Sequence, residues 1–354
     1  MTLLDDTLAR ITPPDTGAAR AAESRLNSLT KPAGSLGYLE EIARRYAALR
    51  HDPTARRGRG AVAVFVADHG VAARGVSAYP KDVTVQMLRN IGGGGAAISV
   101  LARRFDYLMR VVDVGVEEDT SAAPFNNVVY RRVGPGTRDF LDAPAMSAEQ
   151  AQRAVEVGID VARELAGAGA TMLGLGEMGI ANSTSAAALL ATLTGLAPSR
   201  LAGRGTGLDE PGFRRKVEVI ERGLDLHRAS LAGPLEALAA VGGFEIAAMA
   251  GACLGGAAER MAVVVDGFIA TAGAAVALKL KPQLDGYLFF GHRSAEGGHA
   301  LALEALGARP LLDLGMRLGE GTGAVLAMAV IEAALALFHE MATFAGAGVS
   351  EKLA

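Results

Sequence analysis

Two carboxylates set among glycines are the residues of this chain best suited to do chemistry. Glu320 stands in Leu318-Gly319-Glu320-Gly321-Thr322-Gly323-Ala324, and Glu177 in Gly174-Leu175-Gly176-Glu177-Met178-Gly179. The first string follows an apolar run at 310–314 and precedes an Ala/Leu/Met pattern from 325 that predicts a helix. Glycines permit left-handed torsions and close backbone approach. A helix start offers free N–H groups and partial positive charge, which suits an anionic ligand beside it. By spacing alone Glu320 also fits a charge that merely complements the helix dipole. A second carboxylate in a similar glycine setting favours the chemical reading, with Glu320 as a general base.

Gly174 to Gly179 also matches GxGxxG after a strand and before a helix, the fingerprint of a dinucleotide-binding oxidoreductase. That fingerprint wants an acidic residue about twenty positions on, and no Asp or Glu lies between Glu177 and Asp209. Glu177 would moreover repel a pyrophosphate. Two Gly-Thr-Gly turns, Gly205-Thr206-Gly207 and Gly321-Thr322-Gly323, offer the backbone N–H groups that make anion-binding concavities. The first lies between Arg204 and Lys216 and suits a monophosphate. Gly92-Gly93-Gly94-Gly95 opens a helical pattern and fits either an anion or close helix–sheet packing. No GxxxxGK string followed by Ser or Thr is present, so an ATP-type loop is unsupported. A regulatory protein that only binds nucleotides would avoid carboxylates beside its phosphate, which favours an enzyme.

What must position these groups is an alternation of strand and helix. Continuous apolar runs at 61–67, 108–114, 128–133, 171–175, 262–265, 287–290 and 311–314 read as buried parallel strands. Helical patterns at 81–103, 147–165, 183–193, 211–227, 244–258 and 298–306 separate most of them. The fold class is therefore α/β, a doubly wound, mainly parallel sheet. In such sheets ligands bind outside the carboxyl ends of the strands. Those ends carry Asp68-His69-Gly70, Asp113, Glu177, Asp266-Gly267 and His292-Arg293-Ser294. Residues 1–50 read as helices, with Leu26, Leu29, Leu36, Leu39, Ile42 and Tyr46 at helical spacings around the turn Lys31-Pro32-Ala33-Gly34-Ser35, where Lys31 reads as exposed. Residues 1–58 and 325–354 are expected to form a small helical subdomain, and 59–324 the large α/β catalytic domain.

Composition narrows the field. Half of the 354 residues are hydrophobic but only 5% are aromatic, so Ala and Gly carry the core and favour close helix–sheet contact. The 35 basic and 38 acidic residues give a net charge of −3 without blocks of one sign, and no nucleic-acid partner is expected. Cys253 alone excludes an intramolecular disulfide and reads as a small core residue. The six histidines form no metal-ligand spacing, so neither a metal nor another cofactor is expected. The uncharged stretches at 246–258 and 267–278 are too short to span a bilayer. The N-terminus has no signal-peptide pattern, so a cytoplasmic protein without membrane partners is expected.

Taken together the strings resemble the CobT family, the nicotinate-nucleotide:dimethylbenzimidazole phosphoribosyltransferases of cobalamin lower-ligand assembly. The resemblance runs from Leu29-Thr30-Lys31-Pro32-Ala33-Gly34-Ser35-Leu36-Gly37, where the family commonly has a second proline at Ala33, through Ala67-Asp68-His69-Gly70-Val71 and Gly75-Val76-Ser77-Ala78-Tyr79-Pro80. It continues in Gly176-Glu177-Met178-Gly179-Ile180-Ala181-Asn182, Gly203-Arg204-Gly205-Thr206-Gly207, His292-Arg293-Ser294-Ala295-Glu296 and Gly319-Glu320-Gly321-Thr322-Gly323. It implies a Rossmann-like large domain, a small helical one and a homodimer. The implied reaction converts nicotinate mononucleotide and dimethylbenzimidazole to α-ribazole 5′-phosphate and nicotinate; another aromatic base, purine or phenol, is the alternative acceptor. Carried onto this chain, the catalytic base is Glu320 and the second carboxylate Glu177. The resemblance places the benzimidazole pocket at Ser77, Tyr79 and Gln86, with Leu175 and Leu318 as apolar walls. It places the nucleotide and its phosphate at Gly176, Gly205, Thr206, Gly207 and Lys216.

Overall fold

In the computed structural model, which describes residues 2–205 and 207–350, the apolar runs form parallel strands. These are β1 (Arg59–Ala67), β2 (Leu108–Gly115), β3 (Val128–Tyr130), β4 (Ala170–Met178), β5 (Ala262–Val265), β6 (Leu288–His292) and β7 (Pro310–Leu312). They lie in the order β3-β2-β1-β4-β5-β6-β7, every neighbouring pair parallel. Each sequence-predicted strand is present, and the doubly wound α/β class is correct. β1 is an interior strand, buried at every position but its first, which explains why its sequence is continuously apolar rather than alternating. The strand order reverses between β1 and β4, and a crevice opens at such a switch point. There the register sets Phe65 beside Glu177 and Val66 beside Met178.

Helices cover both faces. Ala148–Gly167, started by a Ser147/Gln150 capping box, lies with Phe244–Ala258 over β1, β2 and β4. These two helices approach so closely that a Cβ on Gly158 would lie 1.8 Å from the Ala248 carbonyl oxygen, and one on Gly251 1.8 Å from that of Val155. The Ala/Gly-rich composition has its reason here: larger side chains would hold the helices apart. Cys253, on the second helix, is fully buried, and burial pushes its thiol pKa up, as befits a core residue. The helix Thr322–Glu340 lies on the other face, against β4 to β7. It is the one helix among the described residues long and apolar enough to cross a membrane, but more than half of it is buried against the protein.

Some expectations need correction. Residues 81–103 are not one helix: Gly93, Gly94 and Gly95 of the tetraglycine separate Val83–Gly92 from Ala97–Arg104. The stretches at 234–241 and 268–280, not assigned as helices from the sequence, are helical. Lys31 is not exposed; it is buried beside Glu40, 2.8 Å away. Ala22, Leu26, Leu29, Ala43, Ala47 and Phe338 form a second small core where the N-terminal helices meet the end of Thr322–Glu340. The first half of that same helix, including Ala324, Val325 and Met328, belongs to the main core over the sheet.

Candidate active site

A cavity of about 520 Å³ opens beyond the carboxyl ends of β4, β5 and β6. Glu177, Asp266 and Glu320 all line it, as does Glu296. Each reaches it by a different local device.

Glu177 belongs to β4 itself, one residue before its end, and not to a glycine turn. Gly174 and Gly176 are strand residues, which removes the phosphate-binding turn that the oxidoreductase reading needs. They serve packing instead. A Cβ on Gly174 would meet Met328 Sδ at 3.1 Å, and one on Gly176 would lie 2.3 Å from the Glu320 carbonyl oxygen. The bare strand therefore lets the Glu320 turn rest directly on the sheet.

In that turn Gly319, Glu320 and Gly321 all have positive φ, at 86°, 62° and 91°. Glycine adopts this conformation freely; a glutamate in it costs on the order of 1–3 kcal/mol, strain of the kind held at functional sites. Gly319 also clears room for Glu177, whose Oε1 would lie 2.3 Å from a Cβ there. The turn thus sets Gly319 against the Glu177 carboxylate, and both glutamates face the same cavity.

The helix start after this turn does not await an external anion. Gly321 N–H and Ala324 N–H donate to the two oxygens of Asp266, at 3.2 and 2.9 Å, so Asp266 from the end of β5 caps the helix. The tetraglycine likewise ends at a carboxylate of the protein. The helix Ala97–Arg104 that follows it directs Ile98 N–H at Glu320 Oε2, 3.4 Å away. A helix start facing Glu320 favours its ionised form, while burial opposes ionisation and prevails, raising its pKa.

Burial pushes Glu177 further, to about 8, against the Asn182 amide, which donates to its Oε2; the charges of Glu245, Asp266 and Glu320 add to the rise. Burial raises Asp266 to about 7 against its three backbone donors. Near neutrality the cavity therefore holds protons that free carboxylates would release, and a cation entering it would favour their loss.

The Glu177 shift has a measurable consequence. The folded pKa lies above the ordinary 4.5, so folding retains a proton that the unfolded chain gives up. The associated stability is complete below pH 4.5 and is lost as pH rises through about 8. Glu177→Gln keeps the bond from Asn182 and cannot ionise. Its melting temperature is expected to exceed wild type by on the order of a few °C at pH 8.5 and to match it near pH 5. Thermal melts at the two pH values check this; an offset equal at both would show that Glu177 does not titrate.

Of the other sequence-predicted residues, Ser77, Tyr79, Leu318 and Gly205 line the cavity, with Tyr79 53% and Leu318 57% exposed at its mouth. Leu175 does not: it is wholly buried in β4, and the apolar wall on that strand is Met178. Gln86 is exposed and off the lining, because Val83 and Met87 share the helix face turned to the cavity. Gly176 lies behind the Glu320 turn. Lys216 is fully buried behind the wall, its Nζ donating to Ser183 Oγ at 2.8 Å, and burial lowers its pKa to about 8. Gly207 is not a lining residue, and Thr206 lies outside the described residues.

No role was assigned from the sequence to Asn182, Ser183, Glu296 or Arg317, which line the cavity, nor to Asp266 and His292, which entered only as strand ends or within a resembling string. Asn182 had a signal, its place five residues after Glu177 at a helix start. Arg317 had none, since only the path of the chain after β7 carries it to the cavity. Behind the site, His69 Nε2 lies 2.5 Å from Glu245 Oε1 and Nδ1 lies 3.1 Å from Ser185 Oγ, all fully buried, bracing the turn after β4.

A family model described as "Phosphoribosyltransferase" matches residues 11–349. A nicotinate-nucleotide–dimethylbenzimidazole phosphoribosyltransferase of Chloroflexus aggregans (strain MD-66 / DSM 9485) is 51% identical over 352 residues, 99% of each chain. One of Geobacter sp. (strain M21) is 47% identical over 350 residues, 99% of this chain and all of the relative. The crystal structure of CobT from Thermus thermophilus superposes with a TM-score of 0.90 at 49% identity, covering 95% of this chain and all of the other.

Proposed function

The chain belongs to the nicotinate-nucleotide–dimethylbenzimidazole phosphoribosyltransferase family, and on that basis we propose which residues carry out the transfer. The protein moves the phosphoribosyl group of nicotinate mononucleotide to 5,6-dimethylbenzimidazole, giving α-ribazole 5′-phosphate and nicotinate.

In our reading an azole nitrogen attacks the anomeric carbon from the face opposite nicotinate, so the product is the α anomer. The bond from that carbon to the pyridinium nitrogen breaks, and its electron pair neutralises the pyridinium. The attacking azole becomes cationic, and Glu320 takes the proton from its other nitrogen. One observation carries this assignment: Glu320 is a buried carboxylate of raised pKa, held on a strained turn in the wall of a cavity that Glu177 also lines. A base with its pKa shifted toward neutrality is the more effective proton acceptor.

Glu177 and Asp266 act by charge. The reacting sugar and the departing pyridinium are cationic, and acidic groups converging on the cavity favour positive charge there. Ser77, Tyr79, Met178 and Leu318 receive the benzimidazole, and Gly205 with Lys216 behind it receives the phosphate. The leaving group needs little acid assistance, so the rest of the site works by positioning, which is worth about 7–11 kcal/mol in well-oriented reactions.

We propose also that the protein is a homodimer, supported by the half-exposed Tyr79 and Leu318 at the cavity mouth. The division into a small helical unit (1–58 with 325–354) and a catalytic unit (59–324) is likewise a proposal, supported by the second small core. The test of function is direct. Purified protein mixed with nicotinate mononucleotide and dimethylbenzimidazole is expected to release nicotinate and α-ribazole 5′-phosphate, seen by chromatography and absent when either substrate is withheld. Nicotinate release without dimethylbenzimidazole would make the protein a hydrolase and defeat the reading. Light scattering on the same sample at the 36.3 kDa of one chain would remove the dimer.

A further inference from the structure

The cradle assigned to the phosphate already holds an anion of the protein's own. Gly205 N–H donates to Glu296 Oε1 at 3.0 Å. The same oxygen lies so near Gly203 that a Cβ there would come within 2.1 Å of it. Lys216 Nζ donates to Ser183 Oγ at 2.8 Å and to the Gly203 carbonyl at 3.1 Å, and it stands 3.6 Å from where a Cβ on Gly205 would be. The Glu296 charge acts on that ammonium, raising its pKa against the larger effect of burial. Arg317 Nη1 holds the loop from the other side through the Gly205 carbonyl, at 3.2 Å. Gly205, Ser183, Glu296 and Arg317 all line the cavity, and Glu296 is only 9% exposed.

A carboxylate and a phosphate dianion cannot both accept the Gly205 N–H beside Lys216, because they compete for one donor and repel each other. We propose that Glu296 is a specificity-determining residue that occupies the phosphate subsite as an internal anion, and that a phosphate-bearing substrate must displace it. This rests on the assignment of Gly205 and Lys216 to the phosphate. The internal competitor weakens every phosphate ligand by the fraction of time it holds the cradle. A mononucleotide offsets that loss through its ribose and pyridine contacts. Free inorganic phosphate has no such contacts and is selected against.

Glu296→Gln keeps the length and the acceptor oxygen while removing the charge. The variant is expected to lower KM for nicotinate mononucleotide and Ki for inorganic phosphate by roughly tenfold each, the scale of one charge-assisted hydrogen bond. KM for nicotinate riboside, which has no phosphate, is expected to stay put; if turnover of the riboside is too slow, its Ki against mononucleotide serves. Glu296→Asp, which withdraws the charge from Gly205 without deleting it, is expected to move the same way by less. Equal changes for mononucleotide and riboside would make Glu296 a structural brace and overturn the proposal. A rise in both mononucleotide KM and phosphate Ki would overturn it too, since Glu296 would then hold the cradle in its receptive shape. Lys216→Met is run in parallel. If neither it nor Glu296→Gln alters phosphate inhibition, the assignment of the subsite itself fails.

Discussion

Glu320→Gln is expected to reduce kcat by about 10²–10⁴-fold, the range for loss of a positioned general base, while both substrates still bind. The substitution preserves size and leaves an oxygen to accept from Ile98 N–H, so the turn has no reason to move. What it removes is the ability to take the azole proton. The wild-type pH profile supplies an independent check. A base works in its unprotonated form, so kcat should rise as pH climbs through the pKa of Glu320, which burial places above the ordinary 4.5. That limb should vanish in the variant. Steady-state nicotinate release across pH, with single-turnover measurements to show that chemistry limits, gives both results. A loss smaller than about tenfold with the limb intact would assign the proton to another group.

A loss of both activity and stability is expected from a residue that does no chemistry. In Gly176→Ala the added Cβ would lie 2.3 Å from the Glu320 carbonyl oxygen, 2.7 Å from its carbonyl carbon and 3.0 Å from the Gly321 nitrogen. All three are backbone atoms, so no side chain can yield. β4 is fixed between β1 and β5, and the part that must shift is the turn bearing Glu320. Overpacking of this kind costs about 1–3 kcal/mol, and a misplacement of about 1 Å near the reacting atoms costs about 10²-fold in rate. The variant should lose kcat/KM by about that factor and melt a few °C lower. The double variant with Glu320→Gln should be no slower than Glu320→Gln alone, because there is then no base left to misplace. Multiplicative losses would instead show that Gly176 supports activity by a route separate from the turn.

These two variants also mark where a linear reading succeeded and where it failed. The strands were legible because β1, β2, β4 and β5 are largely buried on both faces, and double burial leaves continuous runs rich in β-branched residues. Glu320 stood out because a second carboxylate, Glu177, recurs in a similar glycine setting, and both line the cavity. Glycines misled where they serve contact rather than conformation. Gly174 and Gly176 imitate a dinucleotide turn yet lie within a strand, clearing the way for Met328 and for the Glu320 backbone. Leu175 and Gln86 were misplaced for a related reason. Leu175 shares a face of β4 with Glu177 but lies two residues farther from the strand's carboxyl end, and helix faces turn by about 100° per residue, so Gln86 points away where Met87 does not. Met178 and Met87 line the cavity in their stead.

The order of residues was enough to indicate the parallel α/β architecture, the edge of the sheet at which a cavity opens, and the carboxylate on the glycine turn that lines it. Each of these is a local property, encoded in hydrophobic pattern, strand order rules and backbone freedom. Which charges meet was left to the folded chain. Asp266 and the helix start of Thr322–Glu340 are 55 and 58 residues apart at their two hydrogen bonds, and Glu320 and the Ile98 N–H are 222 apart. Pairing over such distances depends on how the crossovers stack, which no local pattern records. Because the shifted acidities of Glu177, Asp266 and Glu320 arise chiefly from burial, they exist only once the sheet and its covering helices have closed around them.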